Sequence, residues 1–312
     1  MTLRTAGIHH ITAFAKHPQD NVNFYAGILG LRLVKKTINF DAPDVYHLYF
    51  GNEEGSPGTI MTFFPWPDSR RGRIGGGQVG VTTFIVPPGS LSFWEERLKR
   101  FNVSVMKAAR FSEQYLQFTD KEGLRLELVE RAVGANSKWS FGGVPTDKAI
   151  KGFGGAVLFS INPLQTIEVL ENVLGLQKVG EHAGCVRFQA AGEFGNLIDV
   201  SSTKLERGIG GAGTVHHIAW RAKDVQEHEQ WRSKVEQHGF KPTPIMDRQY
   251  FQALYFREAG GILFEIATDE PGFARDEEHD ALGESLMLPP WLEERRAEIA
   301  ANLLPVEVRT LK

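Results

Sequence analysis

The chain is predicted to be an α+β protein of four βαβββ modules that curl in pairs into two cup-shaped half-barrels. Three observations predict this. A strand–helix–strands pattern recurs at a spacing of roughly 70 residues, as expected of a repeated supersecondary unit. In each repeat a glycine stands four residues before a polar residue of the last strand: Gly58 and Thr62, Gly123 and Glu127, Gly195 and Asp199, Gly261 and Glu265. The first and fourth repeats open on the same His-His-Ile core, His9-His10-Ile11 and His216-His217-Ile218. One such unit cannot bury both faces of its small sheet, but two side by side can close into a cup with helices outside.

Module one opens on a strand at 9–14. Its helix is expected over 21–29, with Asp20 placed as N-cap and Gly30 as terminator. Strands follow at 31–35, 46–50 and 58–64. Module two has an opening strand at 79–86, a helix at 91–100 behind Ser90, and closing strands at 115–119 and 124–130. Module three opens at 155–161, has a helix at 166–174 ended by Gly175, and closes at 185–189 and 196–201. Module four opens at 215–221, has a helix near 225–237, and closes at 253–257 and 262–268. The Gly- and Ser-rich stretch 133–150 divides an N-terminal half, 1–132, from a C-terminal half, 151–272. Residues 273–312 form a tail. Its final segment, 291–303, follows Pro289-Pro290 and carries apolar residues at helical spacing, so it should dock on the body.

Composition narrows the function. With 35 Lys and Arg against 38 Asp and Glu, the net charge of -3 offers no footprint for nucleic acid. No apolar run approaches the ~20 residues of a membrane span, and residues 1–10 lack the pattern of a secretory leader. The cytoplasm is therefore the expected location. One cysteine, Cys185, excludes an internal disulfide and reads as a packed strand thiol rather than a nucleophile. The sequence sets no oligomeric state, and a homo-oligomer is allowed.

Histidine occurs in the opening strands of modules one and four only, and of these two only module four has an acid at the aligned position, Glu265. Pairing modules one and four would bring two imidazoles and a carboxylate together on rigid strands. That set can bind a divalent metal on one face and leave other positions open. Modules two and three then form the second cup. Thr62 would fill the position equivalent to Glu265 without ligating. Glu127 and Asp199 have no imidazole beside them and read as structural groups. Neighbours on a strand point to opposite faces, so without a bulge only one histidine of each pair can reach a shared ion, and periodicity does not choose which. His47, His182 and His238 read as core or edge histidines.

The His-His-Ile strands, Phe24-Tyr25 before Leu29-Gly30-Leu31, and the Phe264-Glu265 strand resemble the vicinal oxygen chelate superfamily. More closely, the whole chain resembles the glyoxalase-like ring-cleaving dioxygenases that open hydroquinones and related aromatic diols, down to the late segment Leu286-Met287-Leu288-Pro289-Pro290. The resemblance implies that the second histidine of each pair is the ligand, giving His10, His217 and Glu265. It implies Fe(II), with Mn(II) or another divalent metal as substitute. It also implies a small aromatic diol and O2 as partners. Tyr255, Arg248 and His216 become the expected catalytic residues, and Thr12 and His9 the expected substrate-side residues. Two other readings belong to the same fold or cavity. One is a metal-dependent isomerase or thiol transferase of the glyoxalase type, which Thr62 argues against. The other is a protein that sequesters a small ligand without chemistry.

Overall fold

The computed structural model describes residues 3–312. Sixteen strands form two eight-stranded sheets. Module one supplies β1 (Ile8–Ala15), β2 (Arg32–Asn39), β3 (Ala42–Gly51) and β4 (Ile60–Pro65). Module two supplies β5 (Gln78–Val86), β6 (Met106–Arg110), β7 (Glu113–Thr119) and β8 (Arg125–Glu130). Module three supplies β9 (Gly152–Phe159), β10 (Gln177–His182), β11 (Cys185–Gln189) and β12 (Leu197–Ser201). Module four supplies β13 (Val215–Ala222), β14 (Met246–Asp247), β15 (Phe251–Arg257) and β16 (Leu263–Pro271). The first sheet runs β14-β15-β16-β13-β1-β4-β3-β2 and the second β10-β11-β12-β9-β5-β8-β7-β6. Modules one and four therefore share one cup, and modules two and three share the other, as the repeat pattern predicts. Each sheet draws one module from either side of residues 133–150.

The seam of each cup is the antiparallel pairing of two opening strands: β1 with β13, and β5 with β9. On either side of a seam the pairing is parallel: β1 with β4 and β13 with β16, β5 with β8 and β9 with β12. Along β13, His217 and Ala219 alternate with Ile218 and Trp220. The latter two join the core that includes Trp231 and Val235 of the helix Val225–Gln237. Burying side chains of this size contributes about 1.5–3 kcal/mol each. That load fixes which face of the strand turns outward to the helices, and so which face looks into the cup.

The four aligned glycines share one backbone state. Gly58, Gly123, Gly195 and Gly261 have φ of +90°, +95°, +61° and +92°, the left-handed region that a side chain strains. Each turns the chain into the strand that carries Thr62, Glu127, Asp199 or Glu265.

The helix of module one begins three residues before the expected start. It runs Pro18–Val22, with proline in its first turn and His17 as an N-cap that makes no side-chain bond. Asp20 lies inside the first turn, where its carboxylate still faces the positive helix end. The helix then widens over Asn23–Ile28, where Leu29 N–H reaches back five residues to Phe24 C=O at 2.9 Å. The same widening recurs in module three, where Pro163–Glu168 continues into Val169–Val173. Ser90 precedes the module-two helix, but the Leu91 N–H is satisfied by Glu130 at 2.7 Å, not by the Ser90 side chain. Asp224 does cap Val225–Gln237, accepting from Glu227 N–H at 2.8 Å.

The C-terminal segment opens as a 3₁₀ turn, Pro290–Arg295, and becomes α-helical only over Arg296–Asn302. Leu292, Ile299 and Leu303 bury against the body, so the docking stands although the helix is shorter than expected. Upstream, Met287 N–H donates to Lys36 C=O at 2.9 Å and pads β2, an edge strand of the first sheet. The fully buried Lys35 ammonium meets Asp276 and Glu277 of the tail and lies 4.9 Å from the Tyr250 ring centre. No helix among the described residues is long and apolar enough to cross a membrane.

An ion network spans the second cup. Arg110 donates to both Glu127 oxygens at 2.9 and 2.7 Å and to Asp199 at 2.7 Å. Arg187 donates twice to Asp199 and once each to Glu113 and Tyr115. Glu113 also receives two bonds from Arg131. Burial would raise the Glu113 carboxyl. The bonds from Arg131, Tyr115 and Arg187 outweigh it and take its pKa down to about 2. A carboxylate depressed from 4.5 contributes stability that is complete above about pH 4.5 and is lost as pH falls toward 2. We therefore expect Glu113→Gln to cost about 2–3 kcal/mol at pH 7, after discounting for partial exposure. The cost should nearly vanish close to pH 2. Urea unfolding of parent and variant at the two pH values checks this, and a pH-independent difference would refute it.

Candidate metal centre

The register of the first sheet explains why both histidines of each pair face one cup. Along the β1–β13 seam the pairing steps from Ile8↔Trp220 to His10↔Ala219, and from Thr12↔His217 to Ala13↔Val215. The residues left out of register are His9 and His216. Each sits at a β-bulge, which re-aims one side chain without ending the ladder. The bulges bring neighbours together that strict alternation would separate. His9 Nδ1 lies 2.9 Å from His10 Nδ1, and His216 Nδ1 lies 2.7 Å from His217 Nδ1.

Three donor atoms converge where the seam meets β16. His10 Nε2 and His217 Nε2 are 3.2 Å apart. Glu265 Oε2 lies 3.3 Å from the first and 2.8 Å from the second. All three residues are buried, and their ligand-capable atoms lie within 4.8 Å of one another. Glu265 faces the same cup because it pairs with Ala219, two residues beyond His217 on that strand.

These residues fit a cation. A neutral imidazole carries one N–H. If Nδ1–H of His10 donates to His9 and that of His217 donates to His216, both Nε2 atoms point lone pairs at the carboxylate. Neither Glu265 oxygen has a hydrogen-bond donor, and both are buried. Burial lowers the His217 pKa, with Glu265 opposing, which favours the neutral ring. Burial by itself would raise Glu265, and holding its carboxyl well below the usual range takes positive charge where the two imidazole nitrogens meet it. Three lone-pair donors facing each other in a dry site are stable only around positive charge. For donors ~2.1 Å from a common ion, the observed separations correspond to angles of roughly 85–105°, nearer one face of an octahedron than a tetrahedron.

In that tautomer the leading histidines are the acceptors. Burial, and then the charge of its neighbour, keeps His9 well below the usual histidine range and His216 likewise below it. Both stay neutral, as an Nδ1 acceptor must. His216 is accessible through the cavity, between Phe14 at 4.9 Å and Phe64 at 5.8 Å, whereas His9 is buried behind the donors.

Above the donors lies a cavity of about 340 Å³. Its walls are mostly aromatic, including Phe14, Phe64, Trp66 and Phe251. Tyr255 pairs directly with Glu265 across β15 and β16, so its ring enters the same cup, 5.6 Å from His217. Burial, and then Glu265, pushes the Tyr255 hydroxyl up, so it remains a phenol at neutral pH. Arg248, between β14 and β15, donates through Nε to the Tyr255 oxygen at 3.3 Å and through Nη2 to Asp41 at 3.0 Å. The structure thus gathers Tyr255, Arg248 and His216 around the donor triad. Thr12 stands beside it, in register with His217, and bonds Thr62 at 2.9 Å.

Two further residues, neither marked as functional by the sequence, also belong here. His47 and Tyr49 both line the cavity. His47 is not a ligand: Nε2 bonds Thr62 at 2.8 Å, and Nδ1 bonds the Tyr49 hydroxyl at 2.8 Å. A chain Tyr49–His47–Thr62–Thr12 therefore runs along the cup wall. Its only sequence signal is that Thr62 aligns with Glu265. The strand facing Thr62 must then present alternate residues to the cup, but the Tyr49↔Thr62 register that selects them is not readable from sequence. His182 and His238 lie elsewhere, on β10 and at the end of the module-four helix.

Two curled sheets, with a candidate metal site at the seam of one, define a protein of the vicinal oxygen chelate fold. The chain belongs to the Glyoxalase/Bleomycin resistance protein/Dioxygenase superfamily, which it matches over residues 7–128 and 153–266. It is 57% identical over 311 residues to MhqO of Bacillus subtilis (strain 168), provisionally named a ring-cleaving dioxygenase, covering 100% of both chains. It is 34% identical over 316 residues to a chlorohydroquinone/hydroquinone 1,2-dioxygenase of Sphingobium indicum, covering 96% of each. A crystal structure of a provisionally named dioxygenase from Bacillus subtilis subsp. subtilis str. 168 superposes with a TM-score of 0.98 at 57% identity, over 99% of this chain and 100% of the other.

If His9 and His216 hold the donor imidazoles in the required tautomer, His9→Phe and His216→Phe should each weaken metal binding about 10–100-fold with the fold retained. Competition with a chelator, followed by metal analysis, measures this. Parent-like affinity in both variants would remove the acceptor role.

Proposed function

We propose that the chain is an Fe(II)-dependent ring-cleaving dioxygenase acting on hydroquinone- or catechol-type aromatic diols, with His10, His217 and Glu265 as the metal ligands. The convergence of these three donors beneath an aromatic-walled cavity carries the reading. The names of the relatives support ring cleavage, and the name of the Sphingobium relative supports a hydroquinone. Two imidazoles and one carboxylate with open positions favour Fe(II), and the same donors accept Mn(II). When bound, the metal would supply a Lewis acid for a phenolic oxygen and a redox centre for O2.

The remaining work falls to the protein. The aromatic walls hold a planar ring and keep water from the donors. The Tyr255 oxygen accepts from Arg248, which leaves the tyrosine's own proton free for an oxygen atom in the cavity. The Arg248 guanidinium offsets anionic charge that develops there. His216, with Nδ1 committed to His217, has its Nε2–H available as a second donor. Taken from the Tyr49 hydroxyl as first donor, the Tyr49–His47–Thr62–Thr12 chain leaves the Thr12 proton unspent and fixes the direction of that hydroxyl. The engagement of Thr62 in this chain speaks against an isomerase or thiol-transferase reading, which needs a further oxygen ligand at that position.

Two outcomes test the proposal. Glu265→Ala removes an anionic ligand and no large apolar group, so the variant should fold and retain little iron. Full iron content with full turnover would refute the ligand set. In Tyr255→Phe only a hydroxyl is lost. Oxygen uptake with hydroquinone should fall roughly 10²–10⁴-fold at parent-like iron loading, the range for a positioned proton donor. Equal rates would leave Tyr255 as a packing residue.

A further inference from the structure

The charges at the cavity mouth bear on which diols can enter. Arg248 is the only lysine or arginine lining the cavity among the described residues, and Asp41 is the only exposed acid. Asp41 sits on the two-residue turn between β2 and β3, with its backbone N–H held by Asn39 Oδ1 at 2.9 Å. Its carboxylate reaches across to Arg248 at 3.0 Å. β2 and β14 are the two edges of the curled sheet, so this ion pair ties one end of the sheet to the other over the opening. The Asp41 side chain is 66% exposed and that of Arg248 only 16%. The acid therefore stands at the entrance and the guanidinium lies just inside it.

The charge balance leaves no vacancy for a second anion. Asp41 offsets Arg248. On the floor, a divalent ion with Glu265 and two neutral imidazoles would carry one net positive charge, which a single phenolate satisfies. Most of the remaining wall is aromatic. A ring that also bears a carboxylate would place it beside Asp41, or strand it among aromatic side chains without an unpaired cation.

We propose that Asp41 is a specificity-determining residue that restricts the cavity to diols without an anionic substituent, by occupying Arg248 and by repelling a carboxylate at the mouth. This rests on the ring-cleaving reading of the same site. The cavity of about 340 Å³ has room for either ring, so charge rather than shape does the discriminating.

The test compares hydroquinone with 2,5-dihydroxybenzoate on iron-loaded parent, Asp41→Asn and Asp41→Ser. Anaerobic calorimetric titration reads binding, and oxygen uptake reads turnover. The parent should prefer hydroquinone. Both variants should shift the affinity ratio toward the carboxylated ring by about five-fold, the upper end for an ion pair open to solvent. The shift should shrink at high salt. Asp41 is exposed, and unfolding curves and iron content matching the parent would show that only the charge has changed. A ratio unmoved in both variants, or a parent that binds the two rings equally, overturns the proposal. If the parent turns over hydroquinone while the ratio stays fixed, the ring-cleaving reading survives and the Asp41 inference falls. A parent that neither binds nor turns over hydroquinone sinks both.

Discussion

The antiparallel pairing of β1 with β13 is the constraint on which the site depends. It joins strands separated by some two hundred positions in the chain, and it brings His10 and His217 to opposite sides of one seam. Parallel pairing of β13 with β16 then sets Glu265 on the same face. No single module contains the site. The two bulges in the seam matter as much as the pairing, because they turn His9 and His216 toward the rings they would otherwise point away from. A donor imidazole and its hydrogen-bond acceptor thus occupy adjacent positions of one strand, an arrangement that regular pleating forbids.

The two cups show one scaffold meeting the same electrostatic problem in two ways. In the second cup, Glu127 and Asp199 occupy the positions aligned with Glu265 and its counterparts, and Arg110 and Arg187 neutralise them. A guanidinium delivers its charge through fixed, directional N–H groups, so that cup is internally satisfied. In the first cup, the carboxylate faces two imidazole nitrogens and no guanidinium. Arg248 is drawn instead to the mouth by Asp41 and Tyr255. The buried carboxylate on the floor has no donor from the chain, which is why the three residues make a candidate cation site.

Much of the architecture was legible in the sequence, because the repeat restates it four times. The glycine four residues before the cup-facing residue is a backbone requirement, and all four copies adopt φ > 0. That requirement aligned Glu265 with Thr62, Glu127 and Asp199 without reference to structure. Helix starts were less legible. Pro18 fits the first turn as well as Asp20 fits a cap, and local pattern does not rank the two. By its sequence context His47 is a core or edge histidine. It is hydrogen-bonded at both nitrogens, as that reading expects, but it does so inside the cavity wall.

The sequence by itself determined the modular fold, the pairing of modules one with four and two with three, and the short set of residues from which a metal centre could be built. These follow from periodicity, glycine placement and residue type, which are properties of the chain read locally. Only the tertiary structure decided which nitrogen of which histidine faces the carboxylate. It alone showed that Arg110 bridges Glu127 and Asp199 in the second cup, that His47 and Tyr49 enter the first, and that Asp41 meets Arg248 across the mouth. Each of these depends on the register between strands remote in sequence, and on how far the sheet curls before its edges meet. Register is a property of the pairing, not of either strand. A slip of one residue would reverse every side chain on the face that carries the chemistry.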